Sequence, residues 1–195
     1  MSIIKYLPTR IFNEGIELIK ISPTNDIEKL NNLLILYKKN KKHLIYWHHN
    51  FDELIFNDIE DIKRHLKKNN LMCYCIYISD KMVGCIEVGR LSTDYDGLKY
   101  RILTYWIDKN NIRKGIMYKI LIKLEKIFNK QKINYIKTEI DVNNEPSIKL
   151  MEKLNYKLFC ISFQISNSGK TLCHSGSYKK ILKKTVYGHT AHNKR

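Results

Sequence analysis

The stretch that decides the fold is residues 100–159, which read YRILTYWIDKNNIRKGIMYKILIKLEKIFNKQKINYIKTEIDVNNEPSIKLMEKLNYKLF. Residues 100–107 are rich in aromatic and branched apolar side chains and predict a strand. A basic turn containing Gly115 follows, and residues 116–129 carry apolar side chains at helical spacing. A strand, a turn and a helix in direct succession form the first part of a βαβ unit, which can hold an anion at the helix N-terminus.

The second half of the stretch completes the unit. Residues 135–142 predict another strand, which ends at an Asn-x-x-Ser sequence formed by Asn144 and Ser147. Asn144 is a suitable N-cap, and Pro146 in the first turn fits the start of a helix. Around this unit the sequence predicts a strand at 16–21, helices at 27–37 and 57–68, a hairpin at 72–79 and 82–91, and an antiparallel pair at 157–165 and 176–182.

Three motifs in this order resemble the GNAT superfamily of N-acetyltransferases, in particular its RimJ/RimL branch. They are Tyr105-Trp106-Ile107-Asp108, Arg113-Lys114-Gly115-Ile116 and Asn144-Glu145-Pro146-Ser147. The resemblance implies an α+β fold with a mixed, mostly antiparallel central sheet flanked by helices, in which a splayed strand pair holds the cofactor. It also implies one domain over residues 1–182, with a basic, flexible tail at 183–195.

The resemblance further implies that the co-substrate is acetyl-CoA or another acyl-CoA. The pyrophosphate would bind at the turn, the backbone of the Tyr105 strand would bind the pantetheine arm, and Asn144 would contact that arm as well. Arg113 stands where a glycine is common, and relatives often place a tyrosine where this chain has Leu150-Met151. The cofactor-binding residues predicted in this way are Tyr105, Trp106, Ile107, Ile112, Arg113, Lys114, Gly115, Ile116, Met117, Asn144 and Ser147.

Acetyl transfer also needs a group that takes a proton from the amine, and a second group can donate a proton to the leaving sulfur. The resemblance places Ser147 near that sulfur as the candidate proton donor. Glu87 is an acid on an otherwise apolar strand, which fits either a solvent-facing sheet edge or a base near a cleft. Glu139 has the same ambiguity, and His48, with its neighbour His49, follows Trp47 in a loop that borders the acceptor site in relatives. The predicted catalytic residues are therefore Ser147, Glu87 and His48.

Composition limits the remaining choices. The chain has 195 residues, 44% apolar residues, a net charge of +16 and five cysteines. An odd number of cysteines, without a CxxC pair or a histidine cluster, favours a reducing compartment and predicts no metal site. We therefore expect a cytoplasmic protein, either a monomer or a homodimer, without a signal peptide or membrane segment.

Three functions remain open from the sequence. The first is transfer of an acetyl group to a primary amine, on a protein or peptide N-terminus or on a small molecule such as an antibiotic. The second is a relative that uses a longer acyl donor, or one with weakened catalysis that binds coenzyme A. The third is an RNA-associated protein, suggested by the charge alone. Because no aromatic-basic RNA motif or helix-turn-helix pattern is present, no specific nucleic-acid partner is predicted.

Overall fold

The fold is described from a computed structural model, which covers residues 7–46, 56–165 and 172–182. Four α-helices are present in this part of the chain: α1 (Ile27–Asn40), α2 (Ile59–Lys68), α3 (Ile116–Lys130) and α4 (Glu145–Lys153). The strands are β1 (Arg10–Asn13), β2 (Ile16–Lys20), β3 (Met72–Ile78), β4 (Lys81–Val88), β5 (Ser92–Thr93), β6 (Lys99–Ile107), β7 (Tyr135–Asp141), β8 (Lys157–Ile165) and β9 (Leu172–Ile181).

Within the described residues, these strands form one sheet in the order β1-β2-β3-β4-β6-β7-β9-β8, with β5 paired to β6. Every pair is antiparallel except β6 with β7, which is parallel. The crossover between those two strands is α3, as a parallel connection requires. The predicted α+β class and the mixed, mostly antiparallel sheet are confirmed.

Helices cover both faces of the sheet and divide the core in two. Side chains of α3 and α4 pack with alternate residues of the central strands, such as Leu103 of β6 and Ile136 of β7. On the opposite face, α1 and α2 pack on a second cluster that includes Trp106 and Cys85. Because successive side chains of a strand point to opposite faces, β6 contributes to both clusters. Trp106 is buried in this second cluster.

Local chemistry explains where the helices begin. The Asp58 carboxylate accepts a hydrogen bond from the Asp61 N–H at 2.9 Å and caps α2. The Asn144 side chain accepts from the Ser147 N–H at 3.3 Å and caps α4. The Asn144 cap agrees with the sequence prediction. Among the helices that the structure describes, none is long and apolar enough to span a membrane.

Several elements differ from the prediction in their limits. Strands β1 and β5 are not predicted from the sequence, and β4 ends at Val88, three residues before the predicted end of the second hairpin strand at residue 91. The turn before β4 consists of Ser79 and Asp80, which have φ values of 46° and 61°. Two consecutive positive φ angles are the geometry of a tight hairpin turn. None of these differences changes the part of β6 beyond Leu103, because β5 pairs only with Lys99 and Tyr100 at its start.

Candidate active site

The candidate site begins where two parallel neighbours separate. Strands β6 and β7 pair from Tyr100 with Tyr135 to Leu103 with Thr138, and the pairing ends there. Beyond this point β6 continues to Ile107 beside β4, and β7 continues to Asp141 beside β9. The backbone edge of β6 that faces the gap is therefore available to hydrogen-bond a ligand. This is the splayed strand pair that the sequence predicts.

A cavity of about 420 Å³ adjoins the splayed end of β6. The cavity lies between the end of β6, the turn before α3, the start of α4 and the segment after α1. Predicted cofactor-binding residues form most of its wall: Tyr105, Trp106, Ile107, Ile112, Arg113, Met117, Asn144 and Ser147. A smaller cavity of about 20 Å³ lies in the gap itself, lined by Thr104, Tyr105, Thr138, Glu139, Ile140, Asn144 and Ser147. Asn144 and Ser147 thus lie where both cavities meet.

The segment after α1 adds residues that the sequence analysis did not assign to the cofactor. Lys42, His43 and Leu44 line the larger cavity. The buried Asn40 holds this segment in place, because its Oδ1 accepts a hydrogen bond from the Lys109 N–H at 3.0 Å. The basic run from Lys38 to His43 is a sequence signal that could have identified this wall.

The turn before α3 has the backbone geometry of an anion-binding loop. Gly115 is the N-cap of α3 with φ 73°, and Arg113 has φ 60°. A glycine has no side chain that could cap the helix, so the N–H groups of the first turn remain free for a ligand. Arg113 adopts a conformation that glycine adopts without strain, which explains why related sequences often place glycine there.

Three other predicted residues belong to this turn but do not line the cavity. Lys114 and Gly115 are exposed, and Ile116 is buried against the core. The Lys114 ammonium donates a hydrogen bond to Asn111 Oδ1 at 3.2 Å. Its charge is near the turn, and Ile116 contributes only its backbone N–H to the helix end.

The start of α4 places a hydroxyl group beside a buried tyrosine. Asn144 caps the backbone of Ser147, so the Ser147 side chain has no capping role. The Tyr105 hydroxyl lies next to Ser147 in the walls of both cavities. Burial raises the pKa of Tyr105 to about 12, and the neighbouring Ser147 hydroxyl opposes this rise. The phenol therefore stays protonated at neutral pH and can donate a hydrogen bond.

Glu87 lies inside the sheet, not at an edge. It is 5% exposed, on the strand next to β6 and directly opposite Thr104, which lines the small cavity. His65 of α2 contacts both carboxylate oxygens, with Nε2 at 3.1 and 3.2 Å. The Asn69 amide nitrogen lies 3.3 Å from the other ring nitrogen of His65. Because an amide nitrogen donates, Nδ1 accepts and Nε2 carries the hydrogen that is donated to Glu87.

Two buried thiols share the surroundings of Glu87. Donor atoms of Cys73, Cys85 and Glu87 lie within 4.8 Å of one another. Burial raises the pKa of Cys85 to about 11, and the charge of Glu87 contributes to the same shift. Both features describe neutral core thiols that pack beside a carboxylate. The cluster comes from residues on two strands, so their spacing along the chain could not reveal it.

The remaining candidates for the base are placed differently. Glu139 lines the small cavity and forms an ion pair with Lys137 at 2.9 Å. His48, with the rest of residues 47–55, lies outside the described residues. The structure therefore brings together the turn, the β6 backbone, Asn144 and Ser147, and it places Glu87 one strand away.

Comparison with known proteins agrees with this geometry. A family model described as the acetyltransferase (GNAT) family matches residues 32–156. Comparison with curated protein sequences gave no match.

Solved structures share the fold. One is RimL, a ribosomal α-N-protein acetyltransferase in complex with coenzyme A, at 18% identity and TM-score 0.70, covering 88% of this chain and 97% of that chain. A second is a ribosomal-protein-alanine acetyltransferase from Vibrio fischeri, at 15% identity and TM-score 0.70. The match covers 91% of this chain and 98% of that chain. A third is the microcin C7 self-immunity acetyltransferase MccE in complex with acetyl-CoA and AMP, at 16% identity and TM-score 0.68. The match covers 87% of this chain and 93% of that chain.

Proposed function

This chain belongs to the acetyltransferase (GNAT) family, and from that premise we propose that it transfers an acetyl group from acetyl-CoA to a primary amine by direct attack in a ternary complex. As a member of the family it is an N-acyltransferase whose co-substrate is an acyl-CoA. The observation that carries the proposal is the end of β6–β7 pairing at Leu103 and Thr138, beside a cavity lined by Asn144 and Ser147.

The residues around the cavity fit an acyl-CoA. Lys42 and Arg113 supply positive charge, and the first turn of α3 supplies free N–H groups, which together suit a pyrophosphate. Apolar side chains such as Ile107 and Leu150 suit the pantetheine arm. The free backbone edge of β6 would bind the amides of that arm and polarise the thioester carbonyl.

The reaction removes two protons from the acceptor nitrogen and expels a thiolate. The acceptor ammonium loses the first proton to a base, the free amine attacks the thioester carbonyl, and the second proton passes from nitrogen, by way of water, to the leaving sulfur. The C–N bond forms, the C–S bond breaks, and the electron pair of that bond stays on sulfur. We propose that the Ser147 hydroxyl stabilises the leaving sulfur, because Ser147 lines both cavities.

We assign the base to Glu87, acting through water. Its position opposite Thr104 supports this role, and the hydrogen bond from His65 holds the carboxylate in a fixed orientation. A carboxylate held in this way can take up a proton from the acceptor through a bridging water molecule. His48 remains a second candidate on the sequence argument alone.

The acceptor that we propose is the N-terminal amine of a protein or peptide, or a small amphipathic amine. The solved relatives support both classes, because RimL is named for a ribosomal α-N-protein substrate and MccE for self-immunity to a microcin. The three described buried cysteines are free thiols, which supports a reducing compartment such as the cytoplasm.

The test is release of free thiol from acetyl-CoA with a panel of N-terminal peptides and amine antibiotics. A Cys160→Ser background is useful, because this exposed thiol would itself react with the detection reagent. We expect release with at least one acceptor class, and parallel assays with longer acyl-CoA donors would define the acyl length. Tight binding of coenzyme A without turnover on any acceptor would favour the binding-only relative, and no binding would refute the proposal.

A further inference from the structure

The last residue of α1 connects that helix to the chain that leaves β6. Asn40 is only 1% exposed, although asparagine is a residue type found mostly at protein surfaces. Its Nδ2 donates to the Leu36 carbonyl oxygen at 2.9 Å, and its Oδ1 accepts from the Lys109 N–H at 3.0 Å. Neither hydrogen bond can form if the amide is turned around, so the two backbone groups fix its orientation. The side chain therefore joins two segments that are 69 residues apart in sequence.

A second contact joins the same two segments. Tyr37, one turn before Asn40, packs its ring against Trp106 of β6, with the ring centres 6.4 Å apart. Trp106 precedes Lys109 by three residues, as Tyr37 precedes Asn40. Both aromatic residues are buried in the cluster beneath α1 and α2. The end of α1 and the end of β6 therefore meet at two successive points, one apolar and one hydrogen-bonded.

This junction lies between the two segments that carry positive charge into the larger cavity. Lys42 follows Asn40 by two residues, Arg113 follows Lys109 by four, and both basic residues line the cavity. Both are exposed, and a flexible exposed cation contributes little to binding because its side chain has to be ordered first. Two cations contribute more when the segments that carry them are already held at a fixed distance.

We propose that Asn40 is a positioning residue that holds Lys42 and Arg113 at the spacing that the phosphates of the coenzyme require. The inference rests on the proposed function, since acetyl-CoA is the ligand that brings phosphates to this cavity. Without the Asn40 side chain, the segment after α1 is no longer hydrogen-bonded to Lys109, and Lys42 has to be ordered anew when the ligand binds. The affinity for the coenzyme falls, whereas the chemistry at the thioester does not change.

Asn40→Ala tests the inference, with Asn134→Ala as the matched control. The Asn134 Oδ1 also accepts a hydrogen bond from a backbone N–H, that of Lys99, at 2.8 Å. Lys99 is the first residue of β6, at the end opposite Lys109, and Asn134 lines neither cavity of the candidate site. Each variant leaves one backbone N–H without its side-chain acceptor, so the melting temperature should fall in both. Calorimetric titration gives the Kd of acetyl-CoA for each variant.

For Asn40→Ala we expect the Kd of acetyl-CoA to rise about fivefold, as for the loss of one exposed charge contact. The KM for acetyl-CoA should rise by a similar factor while kcat stays as in the wild type. Asn134→Ala should bind acetyl-CoA with the wild-type Kd despite its lower melting temperature.

A double-mutant cycle shows whether Asn40 acts through Lys42. Lys42→Ala alone should also raise the Kd about fivefold. If the task of Asn40 is to position Lys42, the double variant should bind within about twofold of either single variant. Two independent losses would instead multiply to about 25-fold.

Hydrogen exchange in the wild type tests the same junction without a substitution, and it decides the matter if Asn40→Ala does not fold. Phosphates that bind both segments hold the junction closed, so the Lys109 N–H should exchange more slowly with acetyl-CoA present. We expect this slowing to exceed that of the Lys99 N–H at least about fivefold.

Three results would overturn the inference. The first is a wild-type Kd in Asn40→Ala, or a rise that Asn134→Ala shares. The second is a loss of about 25-fold in the double variant, and the third is equal slowing of exchange at Lys109 and Lys99. These measurements need only binding, so a wild type that binds acetyl-CoA without turnover would contradict the proposed transfer while leaving them decisive. A wild type that does not bind acetyl-CoA would refute both.

Discussion

Leu103 of β6 and Thr138 of β7 form the last paired position between two parallel strands, and the candidate site starts directly after it. Past this pair, each strand remains bound to its outer neighbour but not to the other. The divergence leaves a backbone edge free, and the start of α4 places Asn144 and Ser147 at the opening. The geometry of the site is therefore a consequence of strand pairing more than of any single side chain.

Gly115→Val should prevent acetyl-CoA from stabilising the protein. A valine in this conformation costs roughly 1–2 kcal/mol of stability, and its side chain would occupy the space beside the free N–H groups. At a ligand concentration 100 times Kd, the wild type should gain about 2.7 kcal/mol. Thermal melting with and without acetyl-CoA measures both effects.

Gly97→Val is the control for this variant. Gly97 has φ 75° against 73° for Gly115, and an added Cβ meets no atom within 4 Å at either position. The control should lose similar stability but keep the full stabilisation by acetyl-CoA. Equal stabilisation of both variants would place the cofactor elsewhere.

Arg113→Gly should separate stability from binding. Its φ of 60° is strained for arginine, so glycine should raise the free energy of unfolding by about 0.5–1 kcal/mol. Loss of the guanidinium should weaken acetyl-CoA binding about fivefold, which corresponds to roughly 1 kcal/mol. Lys132→Gly, at φ 57° and beyond the other end of α3, should gain similar stability without any change in Kd. Calorimetric titration and chemical unfolding would test this, and an unchanged Kd for Arg113→Gly would remove Arg113 from the site.

Glu87→Gln should lower turnover by about two orders of magnitude if Glu87 is the base. Glutamine keeps the size of the side chain, and its amide oxygen can still accept from His65, so folding should be retained. Binding of acetyl-CoA should not change. Glu139→Gln provides the comparison, because Glu139 lines the small cavity and is the other acid near the gap. A large loss in Glu139→Gln with normal turnover in Glu87→Gln would move the role of base to Glu139.

Buried Cys85 should make the protein sensitive to alkaline pH. The pKa of the Cys85 thiol is about 11 in the folded protein, against about 9 for an ordinary thiol such as that of the unfolded chain. The folded state therefore binds the thiol proton more tightly than the unfolded state does. The neutral thiol therefore stabilises the folded protein fully below pH 9. As the pH rises to about 11, the free energy of unfolding falls by roughly 2–3 kcal/mol, which corresponds to a difference of two pKa units. Cys85→Ala should reduce this slope in chemical unfolding from pH 8 to 11, and Cys160→Ala, at an exposed site, should not. An unchanged slope in Cys85→Ala would show that other groups cause the loss.

Periodicity and capping residues were sufficient to predict most of the fold. The stretch from β6 to α4 was found correctly because its strands, its Gly115 turn and its Asn144 cap each carry a strong local signal. Strand β1 was missed because four residues give too short a pattern, although Glu14 and Gly15 form its turn with φ values of 50° and 77°.

The site was predicted only where its residues are close in sequence. The turn, the Tyr105 strand and the Asn144 helix are such residues, and eight of them line the cavity. The contact of His65 with Glu87 joins residues 22 positions apart, and the hydrogen bond between Asn40 and Lys109 joins residues 69 apart. Such contacts depend on how the helices lie on the sheet, which side-chain periodicity does not specify.

Hydrogen exchange of backbone amides, measured with and without acetyl-CoA, tests most directly whether the cofactor binds between β6 and the start of α3. Free amides on the splayed edge of β6, at residues 105 and 107, and in the first turn of α3, at residues 116–118, should become protected when the ligand binds, whereas the amides of residues 104 and 106 face β4. A second cavity of about 640 Å³, lined by the basic Lys63, Arg64 and Lys67 of α2, offers an alternative anion site. Protection confined to α2, with no change at β6 and α3, would show that acetyl-CoA does not bind in the gap between β6 and β7.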